Sequence, residues 1–238
     1  MEATGQPMAT GARMHDRFAL HYVPEAFSTA GQKLMGRQSA GVGLLRAIAR
    51  HGGGLDVGCF TAERSHADAF EAILREEGYA GASTWVPQAA PQELARFGCL
   101  YHPGPGIERL AWRRLQAGEH RYSLCGITHA TASHEMMSMV TSLLVAPVRS
   151  WDAIVCTSRV VRDSVRVLVE EQADYLRTRL AAQRFELPQL PLIPLGVHCA
   201  DLLPQPGRRG EARARLGIDV DGVAFLYLGR LSGHAESP

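Results

Sequence analysis

A glycine-bearing loop near residue 30 leads into a predicted helix and has the composition of a phosphate-binding loop. Gly31, Lys33 and Gly36 lie in or at the end of this loop, and the helical pattern that follows covers residues 37–51. The free backbone N–H groups and the dipole at the start of a helix favour negative charge. These three residues are therefore predicted to contact phosphate groups, with a plain surface connector as the alternative for Gly31 and Lys33.

Two further side chains follow predicted strands, which is where α/β proteins place their ligand-binding groups. His129 comes directly after a predicted strand at residues 122–128. Arg230 follows the apolar run at residues 223–228, and its planar, permanently charged guanidinium suits a bidentate contact with a diphosphate. For both residues a structural role is the alternative: His129 as an ordinary loop or core histidine, and Arg230 as a cap of the strand end.

Other catalytic patterns are incomplete in this sequence. His134 and Glu135 begin an H-E-x-x-H zinc pattern, but Ser138 occupies the position of the second histidine. There is no G-x-S-x-G nucleophile motif and no carboxylate pair placed for acid and base work. Gly41 and Gly43 lack a third glycine and fall inside a helical pattern, so they make a weak dinucleotide fingerprint. The sequence therefore predicts no metal site and no bound cofactor.

The elements that must position these residues alternate along most of the chain. Short apolar runs and amphipathic stretches follow one another, which is typical of strand, crossover helix and strand. Strands are predicted at residues 18–23, 55–60, 82–86, 99–101, 122–128, 152–156 and 190–195. Helices are predicted at residues 37–51, 66–77, 107–116, 133–145 and from 157 to about 184. We expect an α/β fold, a Rossmann-like parallel sheet with helices on both faces.

Composition along the chain indicates four segments. Residues 1–17 are predicted to be a loose leader, because they lack the apolar core of a signal peptide. An N-terminal domain at residues 18–198 is followed by a linker at 199–211 that is rich in proline, glycine and arginine. Residues 212–238 are predicted to begin a second domain, since the apolar strand predicted within them has no covering helix after it. We therefore expect a truncated second domain.

The overall composition argues against two classes of partner. The chain has 238 residues, and its 25 Lys+Arg against 24 Asp+Glu leave a formal net charge of +1, so no basic field attracts nucleic acid. No apolar run reaches the roughly 20 residues that a membrane span requires. The five cysteines are odd in number and far apart, which indicates reduced core residues of a cytoplasmic protein.

Several short segments together carry a family resemblance. In the C-terminal third they are residues 151–158 (WDAIVCTS), 192–198 (LIPLGVH), 215–218 (RLGI) and 225–231 (FLYLGRL). Near the N-terminus, Gly36 and the turn at residues 48–52 (IARHG) add to the set. In this order and approximate spacing the chain resembles glycosyltransferase family 4, whose enzymes have the two-domain GT-B architecture. The resemblance extends from about residue 18 to residue 232.

The resemblance implies both a reaction and a set of residue roles. A complete enzyme of this family is a retaining glycosyltransferase of the hexosyltransferase type, which moves a sugar from a nucleotide-sugar donor to an acceptor without a metal or cofactor. Arg230, Gly36, Gly31 and Lys33 would bind the donor, and His129 would be the catalytic residue beside the reacting sugar. The chain would be the N-terminal half of a GT-B fold, inactive alone because the family's donor-binding acidic pair belongs to the second domain.

Two other functions remain open at this stage. A non-catalytic half-enzyme would bind the acceptor and would pair with a separate donor domain, or with itself, through the apolar face beside residues 223–228. A nucleotide-dependent oxidoreductase or epimerase of Rossmann type is the weaker alternative, because the glycine fingerprint is incomplete. The residues do not identify the donor nucleotide, the sugar or the acceptor.

Overall fold

The first unit of the chain is built on a parallel sheet. The computed structural model describes residues 17–28, 36–129, 131–203, 207–219 and 221–227. Its strands are β1 Arg17–His21, β2 Asp56–Thr61, β3 Ser83–Pro87, β4 Cys99–Tyr101, β5 Ser123–Ile127 and β6 Ala153–Val155. All neighbouring strands run parallel, in the order β3-β2-β1-β4-β5-β6. This is the strand order of a Rossmann-like sheet, so the predicted α/β fold class is confirmed.

Helical segments connect the strands, because parallel neighbours need a crossover connection. They are α1 Gly36–His51, α2 Arg64–Glu76, α3 Glu108–Ala117, α4 His134–Ser142, α5 Arg159–Leu180, α6 Cys199–Leu202 and α7 Arg208–Arg215, with 3-10 helices at Pro24–Ala26 and Pro91–Arg96. Two helices, α4 and α5, begin at serine caps. The Ser133 and Ser158 hydroxyls accept hydrogen bonds of 3.2 Å from the backbone N–H groups three residues on, which satisfies one free donor in each helix.

Alternation along the strands distributes the core over both faces of the sheet. Ala19 of β1 packs on one face with Leu110 and other residues of α3, whereas Leu20 packs on the other face with Leu45 of α1 and Phe70 of α2. All of these side chains are buried. Because successive residues of a strand point to opposite faces, helices must cover both, as the sequence predicts.

A buried ion pair joins α3 to the start of β6. The guanidinium of Arg114 and the carboxylate of Asp152 are both fully inaccessible to solvent, and their two N···O distances are 2.5 and 2.7 Å. Asp152 also accepts hydrogen bonds from the backbone N–H groups of Leu124 and Arg149, each 2.8 Å long. The pair therefore connects α3, β5 and the approach to β6.

The structure corrects two predicted elements near the sheet edge. The long helix α5 ends at Leu180 and not near residue 184, because Ala181 adopts a left-handed conformation with φ of 54°. The strand predicted at residues 190–195 is reduced to two isolated bridges, in which Gln189 pairs with Ala153 and Leu192 pairs with Cys156. Proline has no N–H to donate, so the prolines around these positions keep a regular ladder from forming.

The second unit differs more from its prediction. Contacts divide the chain into Met1–Gly196 and Val197–Pro238. Within the second unit, α6 and the start of α7 lie in the segment predicted to be a linker. The strand predicted at residues 223–228 is wrong for the described residues 221–227, which contain no strand and expose most of their side chains. A strand needs a neighbour to pair its backbone, and the described part of this unit provides none.

No helix in the described segments is long and apolar enough to cross a membrane. All five cysteines are free thiols. Cys59 and Cys156 are buried, as expected for core residues, whereas Cys199 in the second unit is exposed. Burial raises the pKa of the Cys59 thiol to about 12, which keeps it protonated at neutral pH.

A close approach between α1 and the first 3-10 helix explains the glycine at position 41. A Cβ atom at Gly41 would lie 2.1 Å from the carbonyl oxygen of Ala26, far inside any real contact. We expect Gly41→Ala to lower the free energy of unfolding by about 1–3 kcal/mol, since the overpacking exceeds the gain in helix propensity. Ser39→Ala, at an exposed position of the same helix, is the matched control for propensity and is expected to be neutral or slightly stabilising. Urea unfolding of the two variants provides the measurement, and equal stabilities would contradict the close approach.

Candidate functional site

The strand order reverses between β1 and β4, and this is where open α/β sheets form a ligand crevice. The chain leaves β1 towards β2 on one side and leaves β4 towards β5 on the other, so the loops after β1 and β4 diverge. The crevice lies outside the carboxyl ends of these strands. The candidate site lies at this edge of the sheet, among side chains that end or follow β1, β4, the adjacent strand β5 and the edge strand β3.

Two histidines meet at this point. Ala19 pairs with Leu100 and Leu20 with Tyr101 in the β1–β4 register, so the next pair in line is His21 and His102. Their Nδ1 atoms are 2.9 Å apart and their rings are stacked, with 5.0 Å between centroids. The sheet register thus brings together two imidazoles that are 81 residues apart in the sequence.

Both imidazoles are held in the neutral state. Burial, with a smaller contribution from the positive charge of Arg113, lowers the pKa of His21 to about 4. The pKa of His102 is lowered to about 3, mainly by burial and to a smaller extent by the neighbouring His21 and His129. A buried imidazole cannot take up a proton cheaply, because the charged form loses its hydration. At neutral pH these side chains act as hydrogen-bonding groups without charge.

Gln88, which directly follows β3, completes the contact on the other side of His21. Its side-chain nitrogen lies 3.0 Å from Nε2 of His21. Both backbone polar groups of Gln88 are hydrogen-bonded. Its N–H donates to the carbonyl oxygen of Thr61 at 3.1 Å, and its carbonyl accepts from the Arg113 guanidinium at 2.8 Å. Arg113 also lies over the ring of Phe60. The amide of Gln88 is therefore placed by the sheet and by α3.

His129 lies two residues beyond the end of β5, which ends one residue earlier than the predicted strand. Its Nε2 is 3.2 Å from the carbonyl oxygen of Pro103, in the loop that follows His102. A carbonyl oxygen only accepts, so Nε2 of His129 carries the proton and Nδ1 has the lone pair. Burial lowers the pKa of His129, the bond to Pro103 opposes this, and the charge of Arg37 at the start of α1 adds to the lowering.

The arrangement is suited to recognising uncharged polar groups. Neutral imidazoles each offer one N–H donor and one lone pair, and an amide offers both kinds of group. A ligand hydroxyl needs such a combination of donor and acceptor. No group of three or more histidine, cysteine or acidic side chains that could hold a metal ion occurs among the described residues.

The predicted site residues are only partly in the described structure. Gly36 is the first residue of α1, and no atom lies within 4 Å of the position that its Cβ would take, so packing does not require glycine there. Gly31, Lys33 and Arg230 lie outside the described residues. His134, the histidine of the incomplete zinc pattern, is exposed at the start of α4.

Sequence reasoning missed three members of the site, namely His21, Gln88 and His102. In the structure each stands at or directly after the carboxyl end of a strand, as His21 ends β1, Gln88 follows β3 and His102 follows β4. Applied to the predicted strands, this pattern selects His102, but it misses His21 inside the strand predicted at residues 18–23 and Gln88 two residues after the strand predicted at residues 82–86. The pairing of β1 with β4 could not be predicted from the sequence, because β2 and β3 lie between these two strands along the chain.

Comparison with known proteins gives weak likenesses. No protein-family model and no curated protein matches this chain. Among solved structures it is similar to Anabaena Alr3699/HepE in complex with UDP, at 16% identity and a TM-score of 0.48, over 84% of this chain and 49% of that one. The complex of the same protein with UDP-glucose gives 18% identity, a TM-score of 0.48, and 84% and 50% coverage.

A short-chain dehydrogenase from Sphingobium yanoikuyae in complex with NADPH has 18% identity and a TM-score of 0.28, over 79% of this chain and 95% of that one. The chain spans about half the length of the HepE chains. None of these likenesses carries a functional argument at such identities and scores. The α/β assignment rests on the strand order and pairing of this chain itself.

Proposed function

We propose that this chain supplies the acceptor-side domain of a retaining glycosyltransferase with the two-domain GT-B architecture. In this proposal a sugar passes from a nucleotide-sugar donor to an acceptor, and His129 contacts the reacting sugar. Gly31, Lys33, Gly36 and Arg230 are assigned to donor binding. The observation that supports the proposal is the group of neutral imidazoles at the carboxyl edge of the sheet, beside the strand-order reversal.

The chemistry of these imidazoles fits a sugar better than it fits an anion. An anionic ligand would favour protonated histidines, whereas burial keeps His21 and His102 neutral down to about pH 4. Sugar hydroxyls both donate and accept hydrogen bonds, and they require partners of both kinds. The lone pair on Nδ1 of His129 and the N–H group of His102 meet that requirement.

The start of α1 supports the assignment of the donor diphosphate. α1 follows β1, so in a parallel fold its N-terminus lies on the carboxyl side of the sheet, and Gly36 is its first residue. Breaking the bond between the sugar and the diphosphate leaves negative charge on the phosphates, which fixed N–H groups stabilise. The exposed guanidinium of Arg37 in the first turn adds a positive charge.

Removing the His129 imidazole is expected to weaken the binding of a sugar by about 5- to 10-fold, as loss of one hydrogen bond predicts. The test uses the 238-residue chain with 15N-labelled histidines, and follows the ring signals during titration with free hexoses and UDP-hexoses. We expect His102 and His129 to shift in the wild-type chain, and the affinity to fall in His129→Ala. The exposed His134→Ala variant is the matched control and should retain wild-type affinity.

Two outcomes of the same titration would contradict a sugar site at this edge of the sheet. If no hexose or UDP-hexose shifts the His102 and His129 signals, or if His134→Ala weakens binding as much as His129→Ala, the sugar site is not at this edge. The 238-residue chain by itself is expected to release no nucleoside diphosphate from sugar nucleotides. Steady turnover by the purified chain would contradict the assignment of further donor-binding groups to a second domain.

One observation favours the half-enzyme as a second candidate. In the second unit Val223, Phe225, Leu226 and Tyr227 are each more than 70% exposed. A contiguous apolar run of this kind marks a surface that another protein covers. A separate donor domain or a second copy of the chain is expected to bind there. Sedimentation of wild type and of Phe225→Ser distinguishes the cases, because a monodisperse monomer in both would exclude self-association.

A further inference from the structure

The Gln88, His21 and His102 side chains form a hydrogen-bonded chain with a defined direction. The nitrogen of the Gln88 amide is 3.0 Å from Nε2 of His21, and Nδ1 of His21 is 2.9 Å from Nδ1 of His102. An amide nitrogen has only N–H groups, so it donates and Nε2 of His21 accepts. The proton of neutral His21 then belongs to Nδ1, which donates to Nδ1 of His102.

The last link in this chain sets the protonation of His102. Its Nδ1 accepts from His21, so the one proton of a neutral His102 ring resides on Nε2. His129 has its proton on Nε2 as well, since that atom contacts the carbonyl oxygen of Pro103 at 3.2 Å. The described residues provide no hydrogen-bond partner for Nε2 of His102 or for Nδ1 of His129 in these contacts. The pair thus offers one N–H donor and one lone pair.

We propose that Gln88 and His21 are positioning residues that hold His102 in the Nε2–H tautomer, so that His102 donates to a ligand hydroxyl while His129 accepts from one. The identity of the ligand as a sugar rests on the proposed function. The tautomer assignment does not, because it follows from hydrogen-bond geometry alone. Neither Gln88 nor His21 needs to touch the ligand in order to have this effect.

The position of Gln88 suits this role because its backbone is fixed on both sides. Thr61 accepts from its N–H at 3.1 Å, and Arg113 donates to its carbonyl at 2.8 Å. The ring of His21 packs edge-on against Phe60, with 5.4 Å between ring centroids, which limits its rotation. A fixed amide and a fixed ring transmit one hydrogen-bond direction to His102.

The direct test is the nitrogen spectrum of the histidine rings in the folded 238-residue chain at pH 8, where the imidazoles are neutral. We expect a proton on Nδ1 of His21 and on Nε2 of His102 and His129. Gln88→Glu places a carboxylate, which only accepts, at the start of the chain. The direction should then reverse: His21 becomes protonated on Nε2, and His102 moves its proton to Nδ1.

The exposed Gln116→Glu variant introduces the same charge on α3 and is expected to leave all ring tautomers unchanged. A wild-type spectrum with the proton of His102 on Nδ1 overturns the proposal, whether or not any variant folds. A folded Gln88→Glu variant in which His102 keeps its Nε2 proton also overturns it. A purely structural role for Gln88 would change stability without exchanging the proton between the two nitrogens of His102.

A binding measurement separates this proposal from the proposed function. Glucose is the probe, and its affinity is expected to fall by about 10-fold in Gln88→Glu, because the donor on His102 becomes an acceptor. Failure of glucose and other hexoses to bind the wild-type chain contradicts the proposed function, while the tautomer reversal still decides the role of Gln88. Unchanged glucose affinity together with a reversed His102 tautomer overturns the hydroxyl contact assigned to His102.

Discussion

Replacing Arg114 with methionine is expected to lower the free energy of unfolding by about 3–5 kcal/mol. The substitution keeps most of the side-chain length but leaves the Asp152 carboxylate fully buried without its positive partner. Arg114 also donates to the carbonyl oxygens of Tyr122 and Pro147, both at 3.1 Å, so two further acceptors lose their partner. Urea unfolding monitored by tryptophan fluorescence measures the loss.

The matched control is a solvent-exposed ion pair with a similar N···O distance. Arg177 and Asp174 of α5 are 2.6 Å apart, but both side chains are more than half exposed. Arg177→Ala is expected to change the free energy of unfolding by less than about 1 kcal/mol, because solvent already screens the pair. Similar losses for Arg114→Met and Arg177→Ala would show that burial does not set the cost.

Replacing both members of the buried pair is not expected to restore stability fully. In Arg114→Met combined with Asp152→Leu, no charge remains unpaired, which removes the largest penalty. The backbone N–H groups of Leu124 and Arg149 then lose the acceptor that Asp152 provides. Each buried donor left without a partner costs about 1–3 kcal/mol. The Asp152 carboxylate therefore binds backbone N–H groups in addition to the Arg114 guanidinium.

Acidification is the second large effect that we expect. His21 and His102 have folded pKa values of about 4 and about 3, against 6.5 for the ordinary side chain. Between these limits the unfolded chain binds protons that the folded chain does not, so stability is complete above pH 6.5 and falls as the pH decreases. Each imidazole makes the free energy of unfolding fall with a slope that approaches 1.4 kcal/mol per pH unit. The two together lower it by about 3 kcal/mol between pH 6.5 and 5.

Urea unfolding at several pH values from 7.5 to 5 tests this expectation. Most of this range lies above the ordinary carboxyl pKa of about 4, and burial raises the pKa of the Glu108 carboxyl from its ordinary value. His21→Asn should reduce the fall by about half. His120→Asn removes a solvent-exposed imidazole and should leave the profile unchanged. A flat wild-type profile between pH 7.5 and 5 would show that the site histidines are not kept neutral by the fold.

Much of the architecture could be predicted from local patterns. The apolar run at residues 99–101 is a strand with those exact bounds, and the helices predicted from residues 133 and 157 begin within two residues of those positions. These features depend on a few neighbouring residues. The prediction fails where the outcome depends on a missing or distant partner: the apolar run at residues 223–227 forms no strand because no described strand of its unit lies beside it.

The site was harder to predict than the fold for a related reason. His129 directly follows the strand predicted at residues 122–128, so a rule about strand ends is enough to select it. The contact between His21 and His102 depends on β1 lying next to β4, which no local pattern encodes. The direction of the hydrogen-bonded chain depends further on Gln88, whose side chain is an ordinary surface type in isolation.

The strand order also determines how the polypeptide can be divided. β1, β2 and β3 come from residues 17–87, and β4, β5 and β6 from residues 99–155, so each half of the sheet is one continuous stretch of chain. In the described sheet the halves pair only through β1 and β4. A cut near the 3-10 helix at Pro91–Arg96 would therefore yield two fragments with complementary edges. Because His21 and His102 belong to opposite fragments, their hydrogen bond forms only on reassembly and would report when the two pieces have docked.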